Sequence, residues 1–155
     1  MTINWPPGYA LRDFQIEDMA AFPEVAKAMD FQYGEQREWL SRIKEPSFTL
    51  TRDGVPVCCA GVVLQERGVG TAWMFNNYEM LADRHHMILV RYVTREALSR
   101  IEKEYDLRRI EANADAYDPK AQAWLRKLSF AFEGRQRDKF GPGHDAFAYA
   151  RVRRV

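Results

Sequence analysis

Few residues in this 155-residue chain are of types and spacings that suggest chemistry. His85 and His86 stand side by side, directly after Arg84. Paired imidazoles could ligate a metal, but successive helix residues point about 100° apart, so these two cannot easily chelate one ion. No helical motif combining histidine with a carboxylate accompanies them, and no metal site is expected. That leaves the pair a phosphate-facing or interface role, or simply an exposed helix start. Arg84, Arg91 and Arg95 share one side of the same stretch, which reads as a solvated or acid-paired face, or else as a phosphate or partner surface. The only cysteines are Cys58 and Cys59. Neighbours in a strand face opposite ways, so they cannot easily bond each other. Two buried thiols in a reducing compartment are expected. No C-x-x-C, Gly-x-Ser-x-Gly elbow or Walker loop occurs. Arg151, Arg153 and Arg154 make a basic tail, read either as a solvated strand end or as a phosphate-binding arm.

Length and composition bound what must position these groups. The chain fits a single domain spanning residues 1–155, large enough to bury about 68–70% of its unfolded surface. It is 46% hydrophobic and 29% charged, ordinary for a globular protein, and its 13% aromatic content implies a core of large rings. A net charge of +1 gives no global field to attract nucleic acid or an anionic membrane. Neither a signal peptide nor an apolar span is apparent, so a cytoplasmic protein is expected.

Pattern and punctuation then order the elements. Tyr9–Phe14 reads as a first strand, Ile16 to about Ala28 as a helix broken at Pro23, and Gly34–Lys44 as a second helix. Ser47–Arg52 and Val55–Gln65 flank Asp53-Gly54, a strong hairpin signal, with Pro56 confined to the start of its strand. Thr71–Asn77 is the next strand, and its Trp73/Phe75 stripe reads as core rather than as a stacking platform. Arg84–Glu104 is the longest helix; Asp83 is its N-cap and Glu96–Arg100 an expected ion pair. Arg109–Ala114 alternates as a strand, and Asp118-Pro119 opens a helix with the apolar stripe Ala121, Trp124, Leu125 and Leu128. Ala131–Phe140 and Asp145–Val152 close the chain as an antiparallel pair. The order β-α-α-β-β-β-α-β-α-β-β predicts an α/β (α+β) fold. Its central sheet has about seven strands, mixed but mostly antiparallel, with a parallel pair at strands 4 and 5.

That order, together with Asp118, Ala121, Lys127-Leu128-Ser129-Phe130 and Glu133-Gly134, resembles the GNAT (GCN5-related N-acetyltransferase) superfamily over nearly the whole chain. Asn76-Asn77 and Arg84-His85-His86 look similar to phage-encoded GNAT-like proteins, some of which are associated with the virion interior. The resemblance implies acetyl-CoA as cofactor, with its pantetheine arm between the ends of strands 4 and 5, along Met74–Asn77 and Asn113–Asp115. It implies the pyrophosphate near Arg84, His85 and His86, where a helix start favours anions. Phe75, Asn76, Asn77, Arg84, His85, His86, Asn113 and Asp118 are the candidate cofactor-binding residues.

The sequence departs from the family pattern at three places. The segment Tyr78–His86 has no glycine, so side chains limit how closely a phosphate approaches the backbone, and Asp83 would repel it. The tyrosine that many members use as general acid is Leu125, with Tyr117 as a nearby substitute. Ser129 stands in place of glycine, and Asp118 in place of asparagine. Acetyl transfer needs a base for the amine and a donor for the thioester oxygen. The candidates are Glu79 as base, with Glu66 as second choice, the Phe75 or Asn76 backbone N–H as oxygen donor, and Tyr117 as acid. Two functional readings follow. One is acetyl-CoA-dependent transfer to an amine. The other is a catalytically degenerate phage GNAT-like protein with protein partners, virion components or a second copy of itself, serving structure or assembly.

Overall fold

The computed structural model describes residues 5–22, 46–77 and 82–153. The strands are β1 (Tyr9–Arg12), β2 (Ser47–Arg52), β3 (Val55–Leu64), β4 (Val69–Asn76), β5 (Arg109–Asp115), β6 (Ala131–Gln136) and β7 (Ala146–Val152). The α-helices are α1 (Arg84–Glu104) and α2 (Pro119–Lys127). The strands form one seven-stranded sheet in the order β1-β2-β3-β4-β5-β7-β6. β1 with β2, β2 with β3, β5 with β7 and β6 with β7 pair antiparallel, while β4 and β5 run parallel over Val69–Thr71 and Arg109–Glu111. This is the mixed sheet expected, including its one parallel pair. β7 lies between β5 and β6, an insertion the chain order alone does not disclose.

Within this sheet the residues cluster into two compact units, Met1–Val63 with Trp73–Glu96, and Leu64–Ala72 with Ala97–Val155. In the first unit, Asp53 and Gly54 both take positive φ (50° and 80°), so β2 turns into β3 through two residues. The pairing then slips: Thr51 faces Pro56 but Leu50 faces Cys58. Pro56 thus sits beside a bulge, where its missing N–H costs the ladder least. The unit's core gathers Met19, Phe22, Cys59 and Phe75, with Phe14 and Trp73 packed against them. The Trp73/Phe75 stripe is therefore core. Cys58 and Cys59 are both free and buried.

Where a longer helix was expected from Ile16, residues Ile16–Ala21 form a six-residue 3-10 helix. Its i to i+3 bonds run from Asp18 N to Gln15 O and from Phe22 N to Met19 O. Asp18 explains the tight winding. Its buried carboxylate accepts from Arg12, the Gln15 N–H and Thr49 at 2.5–2.9 Å, fixing the turn against β1 and β2. The rest of that expected helix, and all of Gly34–Lys44, lie outside the described residues.

In the second unit, α2 packs on β5 and β6. Asp118 caps it, accepting from the Lys120 and Ala121 N–H groups at 3.1 Å, with Pro119 at the first position. It closes with Phe130 N to Leu125 O and Ser129 N to Arg126 O, a Schellman ending. Ser129 takes φ 70°, the left-handed conformation that glycine adopts most easily.

Three sequence expectations are corrected in detail. The ion pair on α1 is Arg100–Glu104 (3.8 Å), one turn later than Glu96–Arg100. β6 ends at Gln136, because Arg135 turns to Asp145 and the chain bends into the Asp138 turn. The basic tail is not a free arm. Arg151 binds Glu102 at 2.6 Å, Arg153 binds Asp106 at 2.6 Å, and Arg154 lies outside the described residues.

Candidate active site

Register builds one cluster at the C-terminal end of β5. Asp115 pairs with Ala146, so His144, two residues earlier, arrives beside it. The link Ala116 N to Asp145 O (3.0 Å) extends the pairing past the strand. His144 Nε2 lies 2.9 Å from Asp115 Oδ2. An ionised carboxylate only accepts, so Nε2 carries the proton and Nδ1 of the neutral ring keeps a lone pair. A carboxylate that fixes the tautomer in this way is the usual orienter of a histidine base. Asp115 Oδ1 also accepts from the Tyr117 N–H (2.8 Å), which holds the turn. The Tyr117 ring meets His144 edge-on at 5.8 Å between centroids. Tyr117 is 63% exposed and His144's side chain 47%, so both are within reach of a solute.

Around this trio, Asp145 and Asp118 are committed to other partners. The Asp145 carboxylate takes the Asp138 N–H and the Arg135 guanidinium, which hold it below the usual carboxylate range. Asp145 in turn raises Arg135, with Tyr117 a smaller contributor. Asn113 lies on the same strand face as Asp115 and is exposed. Asp118 is occupied as the cap of α2. Leu125, at the position where the GNAT resemblance implies a tyrosine acid, is half-buried on α2.

Phe75, Asn76, Asn77, Arg84, His85 and His86 belong to the first unit. Phe75 is buried with its ring in the core, so only its backbone could serve a ligand. Asn76 is buried, and its Oδ1 has no partner among the described residues. The Asn77 N–H donates to Val57 O at 3.0 Å. At the start of α1, Arg84 and His85 are exposed. Asp83 accepts from the His85 N–H at 2.9 Å and less strongly from that of His86, bonds that hold its carboxyl low. The helix amides are thus partly engaged by the chain's own carboxylate. His86 is 1% exposed and turns inward to share a 2.5 Å hydrogen bond with the Tyr9 hydroxyl; the neighbouring pair therefore splits, one ring outward and one inward. Glu79 lies outside the described residues, and Glu66 is an exposed turn residue. Among the described residues no cluster of three or more His, Cys, Asp or Glu could hold a metal ion, and no helix is long and apolar enough to cross a membrane.

No family model matches the sequence, and no curated protein matches it significantly. Solved structures do match. A candidate phosphinothricin N-acetyltransferase superposes with TM-score 0.73 at 16% identity, over 95% of this chain and 99% of that one. A spermidine N-acetyltransferase from Vibrio cholerae, solved with CoA and spermine, gives 0.70 at 13% identity over 95% and 96%. A GNAT-family acetyltransferase from Streptococcus pneumoniae gives 0.67 at 13% over 94% and 99%. The chain has the GNAT fold. In that GNAT frame, the histidine–carboxylate pair is the arrangement the sequence does not reveal. Asp115 and His144 are 29 residues apart, and His144 follows a Gly-Pro-Gly turn that reads only as a connector.

Proposed function

We propose that this GNAT-fold chain is an acyltransferase that uses acetyl-CoA to acetylate an amine, with His144 as general base. The observation that carries the reading is the His144–Asp115 hydrogen bond beside the exposed Tyr117. Acetyl-CoA, when bound, supplies a thioester whose carbonyl an amine can attack. His144 Nδ1 takes the proton the amine must lose, while Asp115 steadies the imidazolium that forms. The Tyr117 hydroxyl is a proton source for the departing thiolate. Asn76 suits the acyl-pantetheine arm, because its unpartnered buried oxygen can accept from a ligand amide. The Phe75 or Asn76 backbone N–H is the proposed donor to the thioester oxygen. Asn77 and Asn113 are proposed arm contacts. Since Asp83 engages the first amides of α1, the pyrophosphate is assigned to the Arg84 and His85 side chains.

One observation favours a second reading. The Asp83 carboxylate sits where a phosphate would otherwise meet helix amides, as suits a chain that has given up the cofactor for a structural or assembly role, in a virion or with other protein partners. Thermal unfolding with and without acetyl-CoA separates the two. An acyltransferase is stabilised saturably, by RT ln(1 + [L]/Kd), and no shift at about millimolar acetyl-CoA sinks the enzyme reading. Given binding and turnover on a panel of amines, His144→Gln should lower kcat about 10²-fold or more while leaving the acetyl-CoA shift intact. Undiminished turnover in His144→Gln, with a loss in Glu79→Gln, would return the base to Glu79.

A further inference from the structure

The second unit carries a cleft of about 530 Å³ lined by Arg67, Gly68, Tyr105, Asp106, Arg108 and Arg153. These residues come from the β3–β4 turn, the end of α1, the entry to β5 and the exit of β7. None of them belongs to the candidate active site. Three arginines and a single acidic residue line it, on a protein whose net charge is only +1. Such a surplus of cation in one concavity is the footprint of an anion site.

Two of the arginines are held in place by the fold. Arg108 donates through Nη1 to the Arg67 carbonyl, and its backbone N–H donates to Gly68 O at 2.8 Å. Arg153 donates to Glu102 O (3.2 Å) and to Asp106 Oδ1 (2.6 Å). A guanidinium has five N–H donors, and these contacts use one nitrogen of Arg108 and two of Arg153, so donors remain on both. The Arg67 side chain is exposed and forms no ion pair among the described residues. Gly68 allows the cleft to close around them. It takes φ 76°, and a Cβ there would stand 3.2 Å from Asp106 O and 3.3 Å from Arg108 Nη1. Two positioned forks and one free arginine suit a ligand with at least two adjacent negative groups. The volume lies within the range of small-molecule pockets, roughly 300–1,000 Å³, and exceeds what a lone phosphate needs.

We propose that this cleft binds a small organic diphosphate of nucleotide size, with its phosphates on Arg67, Arg108 and Arg153 and its body along Tyr105. Asp106 is the internal competitor, holding Arg153 until the ligand arrives. The site is independent of the acetyl-transfer reading.

Calorimetry with ADP, inorganic pyrophosphate and adenosine tests it. ADP should bind with an affinity that falls as salt rises, pyrophosphate more weakly, and adenosine not at all. Arg67→Ala, which removes an exposed and unanchored side chain, should raise the ADP Kd about tenfold or more. Asp106→Asn should tighten binding severalfold, a change that general loosening of the fold would not produce. Any acetyl-CoA-induced shift should be unaltered in Arg67→Ala, which keeps this site distinct from the candidate active site. Absence of ADP binding at about 5 mM, or an equal Kd in Arg67→Ala, overturns the proposal.

Discussion

Ser129 holds a position whose backbone conformation favours glycine. The end of α2 demands a left-handed residue, and the chain supplies serine at φ 70° where glycine would adopt that conformation most easily. An L-residue there costs roughly 1–2 kcal/mol, partly offset because glycine loses more entropy on folding. Ser129→Gly should therefore stabilise the protein by about 1 kcal/mol, raising Tm roughly 2–4 °C in a calorimetric scan. A lower Tm would mean that the serine makes a compensating contact. Two other residues set the response to acid. Burial first, then the Arg52 charge, depress the His86 imidazole, with Asp83 opposing; Tyr9 is its hydrogen-bond partner. Burial pushes Asp18 up, but hydrogen bonds from Arg12, the Gln15 backbone and Thr49 outweigh it and leave the carboxyl low. Both groups bind fewer protons folded than unfolded, so both favour the folded state at higher pH and lose that contribution as pH falls. Urea midpoints should drop first below about pH 6.5, through His86, and again below about pH 4, through Asp18. His86→Gln should flatten the upper limb and leave the lower one; a midpoint in the parent chain that is constant from neutral pH to about 5 would contradict the His86 assignment.

At the scale of elements, β3 shows how closely strand and side chain approach. A Cβ on Gly61 would lie 2.7 Å from Pro46 O and 2.9 Å from both Ser47 Cβ and Trp73 Cζ2. Backbone and a packed indole cannot retreat cheaply, so Gly61→Ala should cost about 1–3 kcal/mol in urea unfolding. A change near zero would show that β2 can shift its start. The elements themselves were mostly legible. The Asp53-Gly54 hairpin, the Asp118-Pro119 helix start and the alternation of Arg109–Ala114 are local signals, each decided within a few residues. The 3-10 helix at Ile16 was not legible, because what tightens it is a carboxylate shared with Arg12 and with Thr49, 31 residues away.

Over the whole molecule, what the sequence withheld is what depends on long-range register. Nothing local tells that β7 inserts between β5 and β6, and that insertion is what brings His144 to Asp115. The arginine cleft is hidden for the same reason, since its residues span Arg67 to Arg153. Even the basic tail, read either as a solvated strand end or as an arm, gains a new meaning once β7 is placed, as a pair of ties on Glu102 and Asp106. Fold-level likeness at 13–17% identity thus coexists with a distinctive set of polar groups. Adjacent buried thiols carry one more consequence. Burial raises both, Cys59 to about 12. Because Cys58 and Cys59 face opposite sides of β3, a reagent must enter from one side of the sheet to reach the first and from the other to reach the second. Two sequence neighbours therefore serve as separate clocks for the two faces of β3, and the order in which they are labelled tells which face opens first.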